Sequence, residues 1–141
     1  MKLKSLRIQN FRAFKDQTIT FGDYACLVGA NGAGKSTVLT ALCVLFRESG
    51  ASRTSLEELA KEDFHGQDTS SPIIITATFR DLCAEAAEDL KAYVRQGQLV
   101  VSAEATWNDA QESAPVKHRG ERLVIPKFKD YFAKTKAPGA K

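Results

Sequence analysis

The apolar positions of this chain fall into short groups with two different periods. "KLKSLRIQ" sets Leu3 and Ile8 among charged and polar neighbours, and "QTITF" alternates Ile19 and Phe21 with polar residues, so both predict strands. "FGD" (21–23) is a turn, and "YACLV" (24–28) is a continuous apolar run of the kind a buried parallel strand shows. "STVLTALCVLF" then changes period, placing Val38, Leu39, Leu42, Leu45 and Phe46 at helical spacing.

Further along, "ESGASR" (48–53) reads as a linker, and Ser55 with Glu58 forms an S-x-x-E capping box opening a short helix, "LEELAK". "EDFHGQDTSSP" (62–72) is polar and turn-rich, a loop, and "IIITATF" (73–79) is a β-branched strand. Asp81 suits an N-cap for a helix carrying Leu82, Ala86, Leu90, Tyr93 and Val94 on one face and stopping at Gly97. "QLVVSAEATW" alternates at period two, "NDAQESAP" turns, and "VKHRGERLVI" (116–125) returns as the second arm of a hairpin. The final stretch, "PKFKDYFAKTKAPGAK", begins like a short helix and passes into a Lys/Ala/Pro/Gly tail.

Between the apolar run and the first helix stands "GANGAGKST", where Gly29, Gly34, Lys35 and Ser36 complete the phosphate-loop pattern G-x-x-x-x-G-K-[ST]. Strand, glycine loop and helix is the order such a loop needs, because backbone N–H groups at a helix N-terminus and the helix dipole together favour an anion. Gly32 and Gly34 let the backbone come close, Lys35 would reach the β- and γ-phosphates, the Ser36 hydroxyl would ligate Mg²⁺, and Thr37 would donate to the α-phosphate. A plain turn joining strand to helix explains the glycines but has no use for the Lys-Ser-Thr triplet.

Composition changes this picture little. With 43% hydrophobic and 26% charged residues, the chain reads as a soluble globular domain, and its charged start and short apolar runs predict a cytoplasmic protein without a membrane span. Cys26, Cys43 and Cys83 are far apart and without a C-x-x-C pair, so they read as small buried hydrophobes. The net charge of +3 conceals an asymmetry: residues 1–114 hold 12 basic and 15 acidic side chains, residues 115–141 hold 8 and 2. The basic end, with Lys117, Arg119, Arg122, Lys127, Lys129, Lys134 and Lys136 among Phe128, Tyr131 and Phe132, fits either a DNA contact or a solvated tail. His65 with Asp63 and His118 lacks the spacing of a metal site.

The wording "GANGAGKST", with Asn31 before the second glycine, resembles the ABC-type ATPases, and "LKSLRIQNFRAF" resembles their SMC, RecF and OLD branch. "LAKEDFHGQDTSSPIIITATFRDL" and "YVRQGQLVVSAEATW" are most similar to the OLD family of ATP-dependent nucleases. The resemblance implies an α/β fold, the N-terminal part of a P-loop NTPase with antiparallel strands packed beside the P-loop strand and helix. It implies ATP and Mg²⁺ as ligands, with Lys35 catalytic, Ser36 on the metal, and Arg12, Gly29, Asn31, Gly32, Ala33, Gly34, Lys35, Ser36 and Thr37 around the nucleotide. In that branch Arg12 approaches the phosphates and Asn31 faces the γ-phosphate; a surface guanidinium at a hairpin turn is the plainer reading of Arg12.

The sequence departs from the family where catalysis is concerned. An apolar strand ending in Asp-Glu, an "SGG"-type signature and the clustered acids of the nuclease domain are all missing, since Asp81 stands too far beyond its strand and "LVIP" is broken by Pro126. Residues 1–125 are therefore expected to be an N-terminal ATPase lobe and 126–141 a basic tail or the start of a missing segment. The lobe would bind ATP–Mg²⁺ without turning it over, completed by the remainder of the ATPase or a second subunit and dimeric in a full-length parent. A nucleotide-responsive interaction module is the alternative, and a small-molecule kinase a weaker one, for want of a base and an arginine lid.

Overall fold

In the computed structural model, which describes residues 1–48 and 57–121, one six-stranded sheet carries the fold. Strands β1 (Lys2–Phe11), β2 (Phe14–Thr20), β3 (Glu58–Leu59), β4 (Ile73–Arg80), β5 (Leu99–Ala105) and β6 (Ala114–Glu121) lie in the order β2-β1-β4-β5-β6-β3. Every pairing is antiparallel. Helix α1 (Lys35–Phe46) packs on one face against β1 and β5, and a short α2 (Ala84–Asp89) lies outside the core.

Two irregularities in β1 decide which of its side chains reach that core. The register with β4 shifts between Leu3 and Ser5, so Leu3, Leu6 and Ile8 stand opposite Phe79, Ala77 and Ile75, all on the α1 side. Without the bulge, strict alternation would set Leu3 and Ile8 on opposite faces. The left-handed backbone at Asn10 (φ 53°) interrupts the alternation again, and Phe11 joins the same cluster, fully buried. Asn10 also ties down the 61–72 segment, its Nδ2 donating to the carbonyls of Asp68 (3.0 Å) and Ser71 (2.7 Å).

On the other face of the β1–β2 hairpin, Arg7 Nε and Nη2 donate to the two carboxylate oxygens of Asp16 at 3.0 and 2.8 Å. The hydrogen bonds from Arg7 hold the Asp16 carboxyl below the usual carboxylate range. A depressed folded-state value means the pair stabilises the fold above the unfolded value of about 3.9, and the contribution fades as pH falls through the folded one. An NMR titration of the Asp16 carboxyl carbon should give a midpoint below about 3.9 that returns toward it in Arg7→Gln; an unshifted wild-type midpoint would remove the pair from the account.

Several expected elements come out differently. Residues 24–28 form no strand: no described strand pairs with this run, and Tyr24 and Val28 are exposed at 98% and 87%. A parallel strand beside the loop is thus absent among the described residues. The "LEELAK" helix is replaced, over its described part, by β3 and a 3-10 turn at Lys61–Asp63; Ser55 lies outside the described residues. Where a helix was expected over 82–96 only α2 forms, and it buries no residue, so packing does not extend it.

Asp81, with φ 51°, is not an N-cap, and Gly97 ends no helix. Gln96 and Gly97, both at positive φ, make a two-residue turn between Arg95 and Gln98, as a type I′ hairpin requires. Tyr93 lies against Gly120 of β6, where a Cβ would come within 2.6 Å of its ring. Cys26 and Cys83 are exposed and Cys43 half-buried, so only Cys43 approaches the packing role expected of all three.

On α1 the buried face is Thr37, Val38, Thr40, Ala41, Val44 and Leu45, whereas Leu39 and Phe46 are half exposed. The large apolar residues at 39 and 46 had suggested a face rotated from the true one. No described helix is long and apolar enough to cross a membrane.

Candidate functional site

The loop before α1 has the backbone its glycines predict. Gly32 and Gly34 both take left-handed φ, 85° and 90°. At Gly34 the requirement is double, since a Cβ would also lie 2.5 Å from the Phe14 ring of β2. Gly34 is the N-cap of α1 and has no side chain to satisfy the helix end, so the first-turn N–H groups have no partner within the helix. One loop amide is used internally, Ala33 N–H donating to the Ala30 carbonyl at 3.2 Å.

Lys35 turns back into this loop, its Nζ donating to the carbonyls of Gly29 (2.6 Å) and Ala30 (2.7 Å). An ammonium held on loop carbonyls, beside a helix N-terminus, is a concentrated positive site. Ser36 is exposed next to it. Thr37 is buried, so its hydroxyl is the least accessible of the expected ligand contacts. Asn31 and Ala33 lie on the exposed rim of the loop. A groove of about 300 Å³ adjoins it, walled by Phe14, Ile19, Leu27, Val28 and Lys35. A second groove, of about 370 Å³, lies between the far end of α1 and Phe79, Leu99 and His118.

Arg12 is placed one helical turn along. It occupies the β1–β2 turn in a left-handed conformation (φ 47°), with its guanidinium 5.4 Å over the Phe11 ring. Its Nε and Nη2 each lie 2.8 Å from Asp63 Oδ1, and Nη1 donates to Thr40 Oγ1 at 3.4 Å. Its backbone is fixed as firmly: N–H donates to the Asp63 carbonyl at 2.8 Å, and the carbonyl accepts from His65 Nδ1 at 2.8 Å. Arg12 thus sits at the hairpin turn, partly exposed, with Asp63 and Thr40 among its partners.

Asp63, one of the acids of the polar 62–72 loop, is the residue that pairs with Arg12. It is buried, and its Oδ2 accepts the Ala60 N–H at 3.1 Å. The only sign in the sequence is that this acid precedes Phe64, the lone aromatic of an otherwise polar segment. Phe64 is fully buried, bridged to Phe11 and edge-on to Trp107 with ring centroids 5.9 Å apart, so it pulls Asp63 inward with it.

The histidines serve backbone carbonyls: His65 that of Arg12, and His118 that of Val44 at 3.1 Å. Among the described residues no group of three or more His, Cys, Asp or Glu could hold a metal ion. Of the basic end, Lys117 and Arg119 lie on β6, with Arg119 Nη1 3.0 Å from Glu104. Arg122 and the later basic and aromatic positions lie outside the described residues.

A left-handed glycine loop, a lysine inside it and a hydroxyl at the helix start fit a Mg²⁺-bound triphosphate. Comparison with known proteins agrees: the family model for the AAA ATPase domain matches residues 1–138. An OLD nuclease of Thermus scotoductus is 36% identical over 77 residues, which is 55% of this chain and 14% of that protein. Structural maintenance of chromosomes protein 6A of Arabidopsis thaliana is 42% identical over 57 residues, 38% of this chain and 5% of that one. The chromosome partition protein Smc of Thauera aminoaromatica is 33% identical over 75 residues, 52% and 6% of the two chains. The matches therefore cover only a small part of each of these relatives. The chain belongs to the AAA ATPase domain family and is similar, over part of its length, to OLD nuclease and the SMC proteins.

Proposed function

We propose that this chain is the ATP–Mg²⁺-binding lobe of a DNA-processing ATPase of the OLD/RecF/SMC type, and that it binds nucleotide without hydrolysing it alone. The observation that carries the reading is the Lys35 ammonium held within the 29–34 loop at the start of α1. Gly29, Asn31, Gly32, Ala33 and Gly34 would shape the phosphate cradle, Lys35 would neutralise β/γ-phosphate charge, and Ser36 would hold Mg²⁺. Arg12 would act from behind the helix, and Thr37 through its backbone N–H. A Mg²⁺ ion held by Ser36 would supply charge neutralisation on the phosphates.

Hydrolysis also needs an acid or amide to hold an in-line water. Asp63, the buried carboxylate of the described residues, is engaged with Arg12, which argues against its serving as that base. The exposed apolar residues Tyr24, Val28, Leu39 and Phe46 support a lobe covered by the remainder of the ATPase or a second subunit. Residues 1–125 as that lobe, a dimeric parent, a role in an endonuclease or in DNA repair or phage defence, a DNA contact through 117–136 and a cytoplasmic location belong to the same proposal.

Calorimetry and phosphate release test it together. The chain should bind ATP in the presence of Mg²⁺, with phosphate release indistinguishable from background. Absence of binding at millimolar ATP would refute the reading of the loop. Steady turnover that disappears in Lys35→Ala would refute the claim of incompleteness.

A further inference from the structure

Four buried polar or charged side chains are found among the described residues, Thr37, Thr40, Asp63 and Ser102, and two of them stand in one line with Arg12. Asp63 Oδ1 meets Arg12, Arg12 Nη1 donates to Thr40 Oγ1, and Thr40 Oγ1 donates to the Ser36 carbonyl at 2.9 Å. The line begins in a 3-10 turn 51 residues from Arg12 and ends on the residue whose hydroxyl would ligate the metal. The pair is only part-buried, with the Arg12 side chain 33% exposed, and a partly solvated ion pair adds little stability by itself. Its geometric effect is specific: it fixes the first turn of α1 against the β1–β2 hairpin.

We infer that Asp63 is a positioning residue for metal–nucleotide binding, acting through Arg12 and Thr40 on Ser36; the inference rests on the phosphate-loop reading above. Its carboxylate orients the guanidinium, the guanidinium holds the Thr40 hydroxyl in the rotamer that donates to the Ser36 carbonyl, and the Ser36 side chain is presented at a fixed height above the loop. Loss of Asp63 leaves the loop glycines and Lys35 in place but frees Ser36 to shift. The defect is therefore one of the metal contact rather than of phosphate recognition as a whole.

The test is calorimetric titration of the whole chain with ATP in excess Mg²⁺ and with ATP in EDTA, using wild type, Asp63→Asn and Thr40→Val. Removing a group that orients a metal ligand typically weakens metal binding by about 10- to 100-fold. Both variants should lose that order of affinity with Mg²⁺ present and change little in EDTA. Thr40→Val leaves the Arg12–Asp63 pair intact, so it decides the matter if Asp63→Asn does not fold. Wild-type affinity in the variants, or an equal loss with and without Mg²⁺, would overturn the inference and leave Asp63 a structural prop. Wild type that binds no ATP at all would instead overturn the phosphate-loop reading, and this inference with it.

Discussion

Replacing Lys35 by alanine is expected to weaken the binding of ATP with Mg²⁺ by roughly 10- to 100-fold. A hydrogen bond to a charged group contributes about 1.5–3 kcal/mol, and each 1.4 kcal/mol is about a factor of ten. The ammonium already sits inside the loop, on the carbonyls of Gly29 and Ala30, so little reorganisation opposes its exchange of those carbonyls for phosphate oxygens. Lys35→Arg should not restore affinity, because a planar guanidinium cannot take the place of a compact ammonium in so tight a turn. Both variants should melt near the wild-type temperature, since Lys35 is only partly buried. Unchanged affinity in a folded Lys35→Ala protein would separate the loop from phosphate binding.

The largest loss of stability is expected from Phe11→Ala. Phe11 is fully buried, bridges to Phe64 and lies beneath the Arg12 guanidinium, so its removal opens a cavity between the β1–β2 turn and the Phe64 segment. Truncating a buried Phe typically costs about 3–5 kcal/mol, which for a domain of this size is a fall in melting temperature of roughly 10–20 °C. Phe46→Ala, at a half-exposed position of the same chain, should cost much less. Melting curves of the two variants decide this, and equal effects would mean that the core does not centre on the β1–β2 turn.

The strands were legible because their signal is local. β-Branched runs such as 73–79 and period-two alternation at 99–105 need only one buried face to show themselves, and both form strands. The start of α1 was equally plain from "GKST". Which face of α1 is buried was not, because Leu39 and Phe46 are apolar yet stand half exposed, while Thr37 and Thr40 are buried. Residues 24–28 read as a buried strand from composition alone, but a strand is a pairing, and the described sheet supplies no partner. The 82–96 stretch has helical periodicity without a surface to bury it against, so only six residues become helix. In the site, the loop could be read from spacing, whereas the Arg12–Asp63 pair spans 51 residues of sequence and follows from where Phe64 anchors its segment.

The central claim is that ATP and Mg²⁺ engage the backbone of the 29–37 loop. The direct measurement is a titration of ¹⁵N-labelled chain with ATP–Mg²⁺ followed by amide NMR. Saturable shifts concentrated on the amides of Gly32, Gly34, Lys35, Ser36 and Thr37, with the β6–β3 edge of the sheet unmoved, are the predicted result. Shifts confined to other parts of the chain, or none at millimolar nucleotide, would contradict it.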